Sequence, residues 1–425
     1  MLSAIVYKQK SSNRVKPLKK SSPNSSSEQI TVNVLETRLY RSVHVLLILS
    51  ELFVCLPYGA HRRLPTTTSS CSDKILMLLH ITWSIGIYVS LVFTIYGEYT
   101  QSDKDLPTVQ KPLFFCEYLV YLVHLFQILL STYWARQKCR RFLHTIAEFD
   151  YKLISFGRPP EYQQLNRFIR AHLYLILLYV VATAVVDYFY TAGIMTHFIR
   201  SLAVYLLPNL VLCFSLVQYY TLLYAMAQRI IWLNEILHAE LSLKTSARVL
   251  REKLQDIRLS YSTLQIFTKE VNNSFALSLV LVYIGSFTNL SVNLFLLYKY
   301  LDDASNSTFS WIMYSLVWTS MHIGKMFCIL YFNYGVQSQK NSTALIMNEI
   351  EGQNSEMEET ITHFILQLII NTRTNVVCGV VELNMNFITS LLVGTSTIFI
   401  FLLQYDITYE ALTQTHKSGS RSQMD

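Results

Sequence analysis

The chain has 425 residues, of which 52% are hydrophobic, 13% aromatic and only 15% charged, with a formal net charge of +7. Soluble domains carry about 25% charged residues, so a large soluble fold is excluded. The 12 Gly and 9 Pro are too few for the many turns of a β-barrel. What remains is an all-α membrane protein with several spans.

Residues 1–38 are basic and serine-rich without periodicity, and are read as a disordered cytoplasmic tail with no signal-peptide core. Residues 39–58 contain an apolar run of about 16 residues that carries His44 and Glu51 and ends at Pro57-Tyr58-Gly59. That is short for a span, so a re-entrant or interfacial helix is expected. Six longer segments follow, at 75–96, 112–134, 168–190, 201–226, 275–298 and 309–332, most with Tyr or Trp near their ends, as membrane interfaces favour. A seventh lies at 387–405, giving seven transmembrane helices.

Lys and Arg set the orientation. The segments 1–74, 135–170, 227–272 and 334–380 together hold 28, and the alternate segments hold six. The positive-inside rule then predicts a cytoplasmic N-terminus and an extracellular C-terminus. The sequon at Asn306 falls in an expected outer loop, where a glycan can be attached.

The expected organisation is helices 1–4 of the membrane region over 75–226, an amphipathic cytoplasmic helix over 227–272 and two further spans over 273–333. A cytoplasmic anchor segment (334–379), the last membrane helix (380–405) and an extracellular tail (406–425) complete it. In 227–272, Ile231, Leu237, Leu241, Leu250, Leu254, Ile257 and Leu264 recur between charges. Such helices pack on one another or on lipid beneath the bilayer.

The seven Cys are scattered, without CxxC or zinc spacing, so no metal, no cofactor and no disulfide framework is expected. No P-loop, GxSxG or HExxH occurs, which argues against an enzyme. The net charge is not a nucleic-acid signature, because the basic residues sit beside hydrophobic segments.

Polar and ionisable groups inside membrane segments are costly and mark function. Glu117, Tyr121 and His124 share one face of the second segment, and Asp187 sits near the end of the third. Tyr205 and Asn209 share a face of the fourth, and Asn289 and Asn293 a face of the fifth. Trp311, Ser315, Trp318 and His322 line one face of the sixth. These residues satisfy one another between helices, or they wall a pocket that orients a small ligand. Lys325 is expected to snorkel towards the cytosol.

In the last segment, Ser390, Gly394, Thr397, Phe401 and Gln404 recur at helical spacing and form a small and polar stripe. Lipid cannot satisfy it, so it faces another helix or water.

The run Thr397-Ile398-Phe399-Ile400-Phe401-Leu402-Leu403-Gln404-Tyr405 resembles the closing signature of insect gustatory receptors. Ile398 stands where that signature has Tyr, and Tyr405 where it has Phe. Arg140 to Leu143, Phe149-Asp150 and Val380 to Asn384 resemble further segments of the same family, and the inverted orientation is also its own. The resemblance implies a ligand-gated, non-selective cation channel in the plasma membrane of sensory dendrites, built as a homo- or heterotetramer. An extracellular small-molecule tastant would bind among the second to sixth spans and open a gate of last helices, with Gln404 and Tyr405 at the narrowest point. Cytoplasmic helices would form a common anchor. A receptor that signals through a partner protein without conducting, and a solute transporter, are the competing classes.

Overall fold

The computed structural model describes residues 25–60, 71–102, 110–134, 138–190, 194–242, 246–302, 308–349, 355–372, 376–377, 381–383 and 386–421. Helix α1 (Ser25–Leu52) is followed by α2 (Cys71–Ser102), α3 (Gln110–Trp134), α4 (Lys138–Ser155) and α5 (Tyr162–Tyr190). Then come α6 (Met195–Ser201), a π-helical turn (Leu202–Leu206), α7 (Leu207–Ser242), α8 (Ala247–Asp302), α9 (Thr308–Asn348) and α10 (Ser355–Thr372). A two-residue antiparallel ladder of β1 (Val376–Val377) and β2 (Val381–Glu382) leads into α11 (Phe387–Arg421).

Among the described residues, six stretches are long and apolar enough to cross a membrane: Lys74–Gly97, Phe115–Tyr133, Tyr162–Phe189, Met195–Ser242, Arg248–Lys299 and Phe387–Tyr409. The remaining expected span lies in α9, which runs 41 residues and packs against α7 and α8. Its apolarity is diluted by Ser315, His322, Lys325 and Asn333, all of them buried. His322, Lys325 and Asn333 turn inward and bond to neighbouring helices, α7 above all. Lys325 Nζ donates to Asn209 Oδ1 at 2.8 Å, Asn333 Nδ2 to the Tyr219 hydroxyl at 2.8 Å, and the Thr343 hydroxyl to Asn234 Oδ1 at 2.7 Å. Inter-helix hydrogen bonds of this kind hold membrane helices together where apolar burial cannot.

Part of the segment 1–38, expected as a disordered tail, is helical, because α1 begins at Ser25; residues 1–24 lie outside the described residues. Leu35, Leu39, Val43, Leu46 and Leu47 form a buried stripe on α1, which packs against α4, α5 and α7. The chain then turns through a buried segment, Phe53 to Ala60. Thr132 donates to Val54 O at 3.0 Å, Cys55 Sγ to Val211 O at 3.1 Å, and Arg140 Nη2 to Gly59 O at 3.0 Å. Helix α1 is not among the helices suited to crossing a membrane.

The region 227–272 is not one amphipathic helix. It is the far half of α7 and the first half of α8, each continuous with a membrane stretch, and α9 likewise runs on to Asn348. The periodicity of two long antiparallel helices reads in sequence like that of one interrupted helix. Leu237, Leu254, Ile257, Tyr261 and Leu264 meet here in the core, with Phe364 of α10 stacked edge-on to Tyr261. The expected tail at 406–425 is helical to Arg421, as the unbroken continuation of α11.

Candidate functional site

The groups singled out on four separate segments converge. Helix α3 brings Glu117, Tyr121 and His124, and the π-helical turn and α7 bring Tyr205 and Asn209. Asn289 comes from α8, and Trp318 and His322 from α9. Tyr205 is half-buried and the other seven are buried.

Asn209 is the hub. Its Nδ2 donates to the Tyr121 hydroxyl at 3.2 Å and to Tyr205 O at 2.8 Å, while its Oδ1 accepts from Lys325 Nζ. The hydroxyls of Tyr118 and Tyr205 are 2.9 Å apart, and the Tyr205 ring lies 5.9 Å from the Trp318 ring. His124 Nε2 bonds the Ser278 hydroxyl at 3.0 Å, and His322 Nδ1 approaches Ser286 Oγ at 3.4 Å. Asn289 donates to its own helix at Gly285 O.

Two local features allow this. A Cβ on Gly285 would lie 2.9 Å from Val120 Cγ1, so glycine lets α8 approach α3 this closely. The π-helical turn precedes Pro208, whose ring excludes an ordinary α-helical turn against the carbonyl four residues back. Tyr205, whose hydroxyl meets that of Tyr118, lies within this turn; π-bulges recur at functional sites.

Asp187 of α5 lies at the edge of the cluster, with its Oδ2 accepting from the Ser201 hydroxyl at 3.0 Å. Of the buried atoms in this cluster, His322 Nε2 has no hydrogen-bond partner, while the Trp318 indole lies against the Asp187 carboxyl, with Nε1 and Oδ1 outside close bonding geometry. Unpaired buried polar atoms are rare and call for a partner. The side chain of Trp311 and the sequon residue Asn306 lie outside the described residues.

Lys325 does not snorkel. It is buried and committed to Asn209, because a hydrogen-bond acceptor inside the bundle lies within its reach. Tyr118, Ser278 and Ser286 also belong to the cluster and were not singled out from sequence. Tyr118 adjoins Glu117, but serines on an apolar helix give no separate signal.

On α11, Ser390, Thr397, Phe401, Gln404 and Tyr405 are exposed, Phe401 at 63% and Tyr405 at 50%. The opposite face packs on α8 through Thr395, Leu402 with Phe295, and an ion pair of Asp406 with Lys299 at 2.8 Å. Gly394 departs from the stripe. It is half-buried, and a Cβ there would meet Phe287 Cε2 at 3.1 Å, so it serves the contact with α8.

The family profile of the 7tm chemosensory receptors matches residues 40–409. This chain belongs to that family. The receptor is 32% identical over 377 residues to gustatory receptor 59f of Drosophila melanogaster, covering 89% of this chain and 90% of the relative. It is 26% identical over 160 residues to gustatory receptor 59e of the same organism, covering 37% of this chain and 40% of the relative. The olfactory receptor OR5 of Machilis hrabei shares its fold. The complex with eugenol gives a TM-score of 0.55 at 12% identity, covering 89% of this chain and 98% of the other. A second structure of OR5 gives 0.59 at 12% identity, covering 86% and 99%. The chemosensory receptor is thus an all-helical membrane protein of gustatory-receptor type, in a family of receptors and not of enzymes. Among the described residues, no group of three or more His, Cys, Asp or Glu is placed to hold a metal ion.

Proposed function

We propose that this receptor is a ligand-gated, non-selective cation channel in the plasma membrane of sensory dendrites, opened by a small-molecule tastant from outside. Its N-terminus is cytoplasmic, its C-terminus extracellular, and Asn306 lies on the glycosylated side. Four copies, of one or of related chains, surround a pore lined by α11.

The observation that carries this reading is the two-sidedness of α11. One face is spent on α8, and the other turns Ser390, Thr397 and Gln404 away from the bundle together with Phe401 and Tyr405. The Thr397 hydroxyl is bonded within its own helix, to Val393 O at 2.9 Å. An amide such as that of Gln404 facing lipid would lack partners, whereas a ring of four such helices gives it water and its own copies. Gln404 and Tyr405 form the constriction, and permeating cations pass the carbonyl oxygen of the amide and the phenol.

The tastant binds at the polar cluster, where His322 Nε2 is unpaired, the Asp187 carboxyl lies beside the Trp318 indole, and Tyr205 and Trp318 supply ring faces. It opens the channel to the extent that it binds the open arrangement more tightly than the closed one.

Whole-cell recording from cells lacking other chemoreceptors, against sugars, bitter alkaloids and cuticular hydrocarbons, tests this. Ligand-dependent current whose ion selectivity shifts in Gln404→Ala is the expected result. Thr397→Cys and Gln404→Cys should react with water-soluble thiol reagents. Ligand-dependent activation of a G protein without current would overturn the channel reading. Epitope tags at the two termini, read in intact cells, test the orientation separately.

A further inference from the structure

Helix α1 ends beside an apolar stretch that is long enough to cross a membrane. A helix end leaves its last carbonyls without intrahelical partners, and here α2 supplies two. His80 Nε2 bonds Glu51 O at 2.9 Å, and Trp83 Nε1 donates to Leu52 O at 3.2 Å. Both side chains belong to the stretch Lys74–Gly97, well inside its start. The Phe53 ring then stacks on Phe214 of α7 at 4.6 Å. A helix terminus at that depth has no water to satisfy it, which accounts for the imidazole and the indole.

One face of α1 is buried against α4, α5 and α7, and the opposite face is open. Arg38, Arg41, Val45, Ile48 and Leu52 follow one another along the open face at steps of three and four residues. All five are exposed, Val45 at 54%, Ile48 at 43% and Leu52 at 55%. Neither guanidinium has a hydrogen bond or an ion pair among the described residues. His44 borders this face, and Ile30 and Val34 extend it on the N-terminal side of the arginines. From Arg41 to Leu52 the helix rises about 16 Å. One leaflet of a bilayer contributes about 15 Å of hydrocarbon.

We infer that the open face of α1 is a binding site for an anionic phospholipid, with the phosphate on Arg38 and Arg41 and one acyl chain along Val45, Ile48 and Leu52. Polarity changes along the face in the order in which it changes along a lipid, and over the length of one chain. A guanidinium offers a phosphate two parallel N–H donors. Two guanidiniums without a counter-ion favour a headgroup that keeps a net negative charge over a zwitterionic one, by about fivefold for each arginine. Ile30 and Val34 then lie on the aqueous side of the phosphate. With the N-terminus in the cytosol, as proposed above, the lipid belongs to the inner leaflet, where anionic lipids are concentrated. Only the choice of leaflet rests on that orientation, and the binding rests on neither the orientation nor the channel.

The full chain in nanodiscs of phosphatidylcholine tests this. A small fraction of the lipid is replaced by phosphatidylglycerol or by phosphatidylcholine that carries a photoactivatable diazirine near the end of one acyl chain. After irradiation, labelled peptides are quantified by mass spectrometry. Leu177 and Leu178 of α5, 59% and 67% exposed, provide the reference for lipid that is not selected.

The expected result is that phosphatidylglycerol labels the peptide holding Val45 to Leu52 at least about tenfold more than phosphatidylcholine does, while the α5 peptide is labelled equally by both. In Arg38→Gln with Arg41→Gln the ratio at α1 should fall to about one, with α5 labelling unchanged. Equal labelling of α1 by the two lipids in the unaltered chain would overturn the inference, and that comparison needs no variant to fold. So would labelling of α1 by neither lipid, the result if a second copy of the chain covers the face. A preference that survives the double substitution would overturn it as well.

Discussion

Arg229 holds Asp150 through two N–H···O bonds, Nε to Oδ1 at 2.8 Å and Nη2 to Oδ2 at 2.6 Å. The two side chains are 2% and 0% exposed. The Tyr162 hydroxyl adds a third bond to Oδ2 at 2.8 Å, and Arg229 Nη1 donates to Ala225 O at 2.8 Å. One carboxylate thus ties α4 to α7 and to the start of α5. Asp150 lies in the Phe149-Asp150 pair that carries part of the family resemblance, and this pairing gives that aspartate a structural reason.

Removing either partner leaves an uncompensated buried charge. Asp150→Ala and Arg229→Ala should each destabilise the protein by about 3–5 kcal/mol. Replacing both together, Asp150→Leu with Arg229→Met, should cost clearly less than either single change. Thermal unfolding in detergent, followed by circular dichroism, checks the order. Additive losses would show that the pair is not coupled.

Lys340, on the part of α9 beyond the expected span, is 4% exposed. Burial pushes its amine down from 10.5 to about 8. The folded state therefore binds fewer protons than the unfolded state between pH 8 and 10.5, and stability from this group rises with pH through that window. Below about pH 8 the penalty is fully present. Lys340→Met should stabilise the protein at pH 7 by about 3–4 kcal/mol, since each tenfold loss of proton affinity on folding corresponds to about 1.4 kcal/mol. It should also flatten the rise above pH 8, and melting temperatures of both proteins from pH 7 to 10 check the sign.

Gly394 sets how closely α11 lies on α8. A Cβ would sit 3.1 Å from Phe287 Cε2, tighter than ordinary contact, and 3.4 Å from Cζ. Gly394→Leu should push the helices apart at a cost of about 1–3 kcal/mol. Phe287→Ala in the same chain should recover most of it by opening space. Surface expression and thermal stability of the single and double variants decide the point.

Lys299 and Asp406 clamp the far end of the same pair of helices, with side chains 22% and 9% exposed. Lys299→Asp and Asp406→Lys should each reduce ligand-evoked current about tenfold, as loss of a close, partly desolvated pair implies. The exchanged pair, Lys299→Asp with Asp406→Lys, should recover it. Recovery without a change in surface expression places the effect on gating.

Several elements are legible in the sequence. The apolar stretches of α2, α3, α5, α7, α8 and α11 follow from length and composition, because a backbone in lipid must satisfy itself as helix. The same-face groupings of Glu117, Tyr121 and His124, and of Trp318 with His322, follow from helical periodicity. What periodicity lacks is the partner across the interface. Lys325 reads as a snorkelling side chain until Asn209, 116 positions away, stands 2.8 Å from it. Gly394 reads as part of a small-residue stripe until Phe287 occupies the space beside it. That residues 227–272 belong to two helices is hidden because the amphipathic faces of α7 and α8 share one hydrophobic spacing.

By itself the sequence determined the solvent of this protein, its helical class, the polar faces within its helices and, through one closing motif, its kinship. These properties are local: each depends on the order of side chains along a single helix. Only the tertiary structure decided which faces meet, that Asn209 gathers Tyr121, Tyr205 and Lys325, and that α11 spends one face on α8 and leaves the other free. Those outcomes depend on distances between residues far apart in the chain, which are set by packing among helices whose apolar surfaces look alike in sequence.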